Sequence, residues 1–566
     1  MTAAPVSILM SLLICSTCVC HGNAFSFGEQ DDNDLNYISD ACPILMSQLE
    51  KLLGAEHRHD AEGRVRSLED AMHPLYDALP KNHNGELSAP AVRYMLHRLF
   101  RHHYGWQVTG LSPHGDAWNA TLATGVLQND VTVKARILLD DHLRNDGFSL
   151  QEAACFASSL EEVVQAESLA RLRVAYKLHS ADTKKTNVPR DDLERILDTY
   201  MVSYILQLAH VDPQILSDSE VEELYPNWHS TQSFLRKTFV EIVPLSQHEI
   251  AFSAMARVVR AVNARYGPWQ NQECKELKLS LSALEGDCPG RVDIGDFQGG
   301  VEHGKWQFQE SEAYLRDLQA LDESVAGLPR VIVPNYIISA TNCIGTSKYF
   351  STCCMDECEG IMTAVEAQIA APTATPEQIA EVVNGLLATS PWATDGQLTD
   401  DLLAKLRSLD QKGAGVPIYG RLFALWLHHV WPQHCAYPSV VHTPHGGSIK
   451  FMSTASIATA KERRLNEEST KKAHAGETAG SINMTHGQAC IPWTPTEELL
   501  APLGYTDPNK SMIAAPAVWA SLFMLASSVL ACVSQVTGIQ LPRRAGVGSK
   551  QFLSGFASST ANSQEI

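Results

Sequence analysis

Apolar residues recur at helical spacing along most of the chain, and polar breaks cut them into short blocks. Residues 40–53 set Leu45, Leu49, Leu52 and Leu53 on one face, and residues 64–78 repeat the pattern. The chain then breaks at Pro80-Lys81-Asn82-His83-Asn84-Gly85-Glu86-Leu87, after which residues 90–103 align Val92, Met95, Leu96, Leu99 and Phe100. Helix, a short Asn/Gly loop with an apolar residue two after the Gly, and helix again is the outline of an EF-hand. The outline recurs. Ser149-Leu150-Gln151-Glu152 is a capping box that predicts a long helix to about Leu178. A polar loop over 180–189 then leads into the stripe Leu193, Ile196, Leu197, Tyr200, Met201, Tyr204 and Ile205. A third unit predicts a helix over 274–284 and a loop over 285–296.

Further on the pattern changes. Residues 327–338 (GLPRVIVPNYII) are β-branched and proline-punctuated, which predicts a strand or extended segment. Helices follow over 356–371 and 377–387, the latter announced by Thr375 as cap and Pro376 at the first helical position. Thr399 with Asp400 and Asp401 opens another, closed by Gly413. Residues 418–430 are apolar on most sides and read as a buried helix. Residues 446–487 turn polar and read as a flexible stalk, with a solvated helix over 458–472 as the competing reading.

The two ends carry the longest apolar runs. The stretch from Met512 to Val533 is 22 residues without a charge. As a helix it reaches about 33 Å, enough to cross a bilayer. The competing reading is a buried core helix. Arg543, Arg544 and Lys550 follow it, an excess of positive charge that predicts a cytosolic tail. The run from Val6 to Cys20 is too short to span, and Gly22-x-Ala24 after it completes a signal-peptide pattern. The expected organisation is a signal peptide (1–24), an N-terminal helical domain (25–215) and a second helical domain (216–330). A Cys/His-containing helical domain (331–445), the stalk (446–511), the span (512–533) and a tail (534–566) follow.

Charge and cysteine use narrow the class. The chain has 566 residues and a net charge of −20, from 64 acidic and 44 basic side chains. A surface of that sign repels phosphate backbones, so nucleic acid is not expected as a partner. Setting aside the signal and the span, ten cysteines remain: Cys42, Cys155, Cys274, Cys288, Cys343, Cys353, Cys354, Cys358, Cys435 and Cys490. An even number in a secreted chain permits disulfides, with the pairing left open. The spacing Cys343-x9-Cys353-Cys354-x3-Cys358 lacks the paired knuckles of a zinc site and reads as a disulfide staple. Asn119 and Asn483 are glycosylation acceptors on the same side, and Asn509 is a third close to the membrane.

Three places invite a chemical reading. In the third loop Glu285, Asp287, Asp293 and Asp296 stand at positions 1, 3, 9 and 12, with Gly290 at 6. Calcium needs six to eight oxygens, and Pro289 removes the one at position 5, so a structural unit is favoured over a calcium site. His428, His429, His434, His442 and His445 surround Cys435 and form the densest set of transition-metal ligands, though the spacing follows no zinc template. His248-Glu249-Ile250-Ala251-Phe252 begins like a zinc-protease motif but has Phe252 where the second histidine is required. There is no G-x-S-x-G elbow and no phosphate or dinucleotide glycine loop.

Four strings carry a resemblance: LYDALPKNHNGELSAPAVRYMLHRLF, ILDTYMVSYIL, YFSTCCMDECEGIMTAVEAQIAAPTATPEQIAEVV and VPIYGRLFALWLHHVWPQHCAYP. Together they resemble a family of signal-bearing, cysteine-containing helical proteins from dinoflagellate algae with no established activity. The resemblance implies a shared helix-rich architecture with a cysteine-bearing junction and a hydrophobic tail segment. It supplies no catalytic residue. The expected fold is therefore mainly α, with degenerate EF-hand-like helix–loop–helix units, disulfides and one C-terminal transmembrane helix. The expected role is a non-enzymatic structural or binding component, a single-pass type I membrane glycoprotein of the secretory pathway or cell surface. Its partner would be a protein or glycan, and no cofactor is expected. A calcium-binding regulator and a metal-dependent enzyme using the histidine cluster are the alternatives.

Overall fold

Four times along the chain an apolar residue leaving a loop pairs with its counterpart leaving another loop. Leu87 and Phe148 exchange both backbone hydrogen bonds at 2.9 Å. Val188 pairs with Ile250, Val292 with Val331, and Ala374 with Val416, each in a short antiparallel ladder. A helix follows every one of these residues, so each ladder ties two helix–loop–helix units together by their loops. The pairing satisfies backbone groups that would otherwise be buried without partners.

The computed structural model describes residues 61–108, 111, 147–181, 187–206, 217–299, 308–344, 350–389, 396–410, 413–438, 456–475 and 493. All lie in one compact unit, Met1–Gly504; a second unit, Tyr505–Ile566, lies outside the described residues. In chain order the described elements begin with α1 (Ala61–Ala78), α2 (Ala89–Tyr104), β1 (Trp106–Val108) and α3 (Leu150–Leu178). Then come β2 (Val188–Pro189), α4 (Arg190–Leu206), α5 (Asp218–Leu224), α6 (Trp228–Ile242), β3 (Glu249–Ile250) and α7 (Phe252–Ser282). The middle holds β4 (Arg291–Asp293), α8 (Ile294–Gly299), α9 (Glu312–Asp317), β5 (Leu321–Asp322), β6 (Arg330–Ile332), α10 (Val333–Ile338) and β7 (Phe350–Thr352). The remainder is α11 (Glu357–Ile369), β8 (Thr373–Ala374), α12 (Pro376–Thr389), α13 (Asp400–Leu409), β9 (Val416–Pro417), α14 (Arg421–Val430) and α15 (Ala460–His474).

Local chemistry accounts for several of these boundaries. Ser149 accepts from the Glu152 amide and Glu152 reaches back to the Ser149 amide, the reciprocal cap that starts α3. Thr375 caps α12 through the Gln378 amide at 3.2 Å. Residues 327–338 are extended only over Arg330–Ile332 and then turn into α10. Pro334 permits this because a proline in the first helical turn forfeits no intrahelical hydrogen bond.

Three apolar clusters result. The first is built from α1 to α7 and closes over Trp106, Tyr204, Trp228 and Phe350. The second joins the C-terminal part of α7 to α8, β6 and α10 through Leu281, Phe297, Val331 and Tyr336. The third is formed by α11 to α14 around Ile379, Leu406, Leu425 and Trp426. Segment 350–358 runs past all of them. Its strand β7 pairs with β1, and Cys354 and Cys358 then carry the chain to the other two clusters.

The expected fold class needs one correction. Among the described residues no helix is long and apolar enough to cross a membrane. The long helices fail for a plain reason: α7 carries Arg257, Arg260, Arg265, Glu273, Lys275, Glu276 and Lys278, and α3 is similarly charged. The run from Met512 to Val533 and the signal segment 1–24 lie outside the described residues. What the structure shows is a mainly helical, disulfide-bonded chain. Of the two readings of 458–472, the helical one is seen, and this helix, α15, packs on α8 rather than standing in solvent.

Candidate functional site

The third loop is held from outside. Gly290 sits at φ +74°, and a Cβ there would stand 2.1 Å from the Pro432 carbonyl oxygen, so only glycine lets the loop dock on the chain that follows α14. Glu285 is occupied in the same contact, accepting from Ser282 Oγ at 3.0 Å and Gln433 Nε2 at 2.7 Å. Asp293 and Asp296 are brought together, but by a residue far along the chain. His474 Nε2 lies 3.1 Å from Asp293 Oδ2 and 3.8 Å from Asp296 Oδ2. Asp287 stands outside this group. The ligand atoms of Asp293, Asp296 and His474 all lie within 4.8 Å of one another. Burial and the neighbouring Asp293 push the Asp296 carboxyl up, while His474 opposes them.

A close approach places His474 there. Gly295 of α8 has no side chain, and a Cβ would meet Thr470 Oγ1 at 2.5 Å and the Asn466 carbonyl oxygen at 2.7 Å. The Gly295 amide donates to Thr470 Oγ1 at 3.2 Å, and Asn466 Nδ2 donates to Gln298 Oε1 at 3.1 Å. His474 is the last residue of α15, where the carbonyl end of the helix favours a cation.

The histidine cluster is divided among separate partners. His428 is fully buried, donates from Nδ1 to the Cys435 carbonyl at 2.6 Å and accepts at Nε2 from Arg291 Nη1 at 3.0 Å. Both ring nitrogens are spent on protein. Burial, with Arg291 alongside, holds its pKa at about 3, so the ring is neutral. His429 packs edge-on against Trp493, with ring centroids 5.4 Å apart. His434 Nδ1 lies 2.5 Å from Glu357 Oε2, which Lys278 Nζ also reaches at 2.5 Å. Burial raises the Glu357 pKa, but His434 and Lys278 outweigh it and bring it to about 2. His442 and His445 lie outside the described residues, as do Cys490, Asn119 and Asn483.

The cysteine cluster is oxidised. Cys343 pairs with Cys353, Cys354 with Cys274 of α7, and Cys358 with Cys435 beyond α14. Cys155 and Cys288 are disulfide-bonded as well. The thiols are therefore spent on staples rather than on a metal.

Sequence reasoning missed the groove between α6 and α7. It has a volume of about 510 Å³ and is lined by Ser230, Ser233, Phe234, Lys237, Glu241, Arg265 and Trp269, among others. Phe234 and Trp269 stack with centroids 4.9 Å apart and planes at 27°, and both remain partly exposed. Arg265 Nη1 donates to Glu241 Oε2 at 2.5 Å on the rim. An aromatic floor with hydroxyls, an amine and an ion pair around it can take a ligand that is apolar on one face and polar at its edges. The available signal was Phe234 and Trp269, large aromatics on two helices with charged neighbours, but their meeting is a tertiary fact.

Compared with known proteins, the chain matches no family model, no curated protein and no solved structure.

Proposed function

We propose that the chain is a non-enzymatic binding component of an oxidising, secretory-route compartment, and that the α6–α7 groove receives a glycan. The stacked pair Phe234–Trp269 in an open groove carries this reading. A sugar ring presents C–H groups on one face and hydroxyls at its edge, which suits an aromatic floor rimmed by Ser230, Ser233, Lys237 and Glu241. The disulfides support the compartment, since such bonds persist where glutathione does not reduce them. The polar groups elsewhere support a scaffold, because both ring nitrogens of His428 are occupied, and its bond to Arg291 joins the third cluster to the second.

Trp269→Ala removes the stacking surface while leaving the rim. For an oligosaccharide found to bind the full chain, the affinity by calorimetry is expected to fall about 10- to 100-fold, matching ~1–3 kcal/mol of lost burial. An unchanged affinity in the Trp269→Ala protein would sink the groove as the binding site, and reduced thiols in the protein drawn from its cells would sink the compartment.

A second reading rests on Asp293, Asp296 and His474, whose converging ligand atoms fit a divalent transition metal. Two carboxylates and an imidazole give calcium too few oxygens. Titration with zinc or manganese is expected to give one site that His474→Ala abolishes, with calcium silent. Heat from calcium alone would turn this reading over.

A further inference from the structure

Arg421 opens α14 and is 1% exposed, yet none of Nε, Nη1 or Nη2 has a hydrogen-bond partner among the described residues. Arg291 is also 1% exposed. Its Nε donates to Asp322 Oδ2 at 2.7 Å and its Nη1 to His428, while its Nη2 is without a partner. Tyr437 lies beside Arg291. Its ring centroid is 5.8 Å from the Arg291 guanidinium carbon, and its phenol, raised by burial, is drawn back down by Arg421 and then by Arg291. Asn335 fixes the Tyr437 backbone from both sides, donating to its carbonyl at 2.9 Å and accepting from its amide at 2.7 Å. Arg421 and His428 are seven residues apart and therefore share a face of α14.

Arg291 and Arg421 are buried cations, and the carboxylate that accepts from Arg291, Asp322, is shared with Arg330. His428 is neutral because both its nitrogens are committed. A buried guanidinium with no partner costs several kcal/mol and does not persist without compensation. The first turn of a helix adds further positive potential at Arg421.

We propose that Arg421 and the open Nη2 edge of Arg291, beside Tyr437, form an oxyanion site that takes a phosphate or sulfate group. Three unpartnered nitrogens on Arg421 and one on Arg291 exceed what one planar carboxylate can accept in a fork, whereas a tetrahedral anion offers more oxygens. The inference goes beyond the groove reading, and its failure would leave that reading standing, because Trp269 takes no part in it.

Equilibrium dialysis of the full chain against labelled inorganic phosphate tests it, at constant ionic strength set with chloride. One phosphate per chain is expected, displaced by sulfate and not by chloride. Glycerol phosphate, in a parallel arm, shows whether the site takes a free ion alone or also the phosphate of a larger molecule. Arg421→Met is expected to abolish binding and to raise the melting temperature of the anion-free protein, since it removes an uncompensated buried charge. Should that variant not fold, Arg421→Lys keeps the charge but loses the fork, and about a tenfold weaker affinity is expected. Absence of saturable phosphate and sulfate binding to the wild-type chain overturns the proposal, as does undiminished binding in the folded variants.

Discussion

Replacing Cys358 and Cys435 together by alanine is expected to destabilise the third apolar cluster by about 4 kcal/mol, with the other clusters little changed. The bond joins residues 77 apart, from the first turn of α11 to the chain just past α14, so it closes that cluster end to end. Loop-closure entropy for a chain of that length sets the magnitude, because tying the ends removes configurations from the unfolded state alone. Cys343–Cys353 spans 10 residues, and the same argument gives it about 2 kcal/mol less. Urea unfolding followed by hydrogen exchange resolves the effect by region, and early exchange confined to α11 to α14 is the expected signature. A uniform loss across the molecule, or a midpoint within error of wild type, would show that packing alone closes the cluster.

How much of this was legible from residues depends on the range of the interaction involved. Ser149 with Glu152, and Thr375 with Pro376, announced α3 and α12 because a cap is written within four residues. The two-residue ladders were not legible, since a pair such as Thr373–Ala374 is too short to show an alternation. The staple was expected at 343–358, but pairing depends on which helix lies alongside, and Cys274 is 80 residues away from Cys354. Asp293 and Asp296 were noticed for calcium, yet their third partner, His474, stands 181 residues from Asp293 in a segment read by its composition as polar. His428 was noticed as a ligand and is instead a neutral bridge between two clusters. The buried arginines were missed for one reason: composition assigns arginine to the surface, and only a fold shows that Arg98, Arg291 and Arg421 are inside. A usable hint was Arg421 heading the otherwise apolar run RLFALWLHHV, seven residues before His428.

Arg98→Met is expected to cost ~3–5 kcal/mol at neutral pH, and the loss should shrink as the solution is acidified. Arg98 is 4% exposed on α2 and joins the first cluster to α11, where it pairs with both Glu359 and Glu366. Its Nη2 also donates to the Glu359 carbonyl and to Thr363 Oγ1, each at 3.3 Å. Burial raises the Glu366 carboxyl from its ordinary 4.5, and Arg98 is the main force holding it down. Once the guanidinium is gone, burial acts unopposed and the folded-state pKa climbs further above the unfolded value. A carboxyl raised in this way contributes stability below about pH 4.5 and loses it as pH rises through the folded value. The variant should therefore trail wild type by little near pH 4.5 and by the full amount near pH 8. Adding Glu359→Gln and Glu366→Gln to Arg98→Met removes the stranded charges and should recover at least half of the loss, as expected when a buried pair is replaced whole rather than halved. Denaturant midpoints of the three proteins at the two pH values decide it, and a deficit that did not depend on pH would mean that Arg98 acts through packing alone.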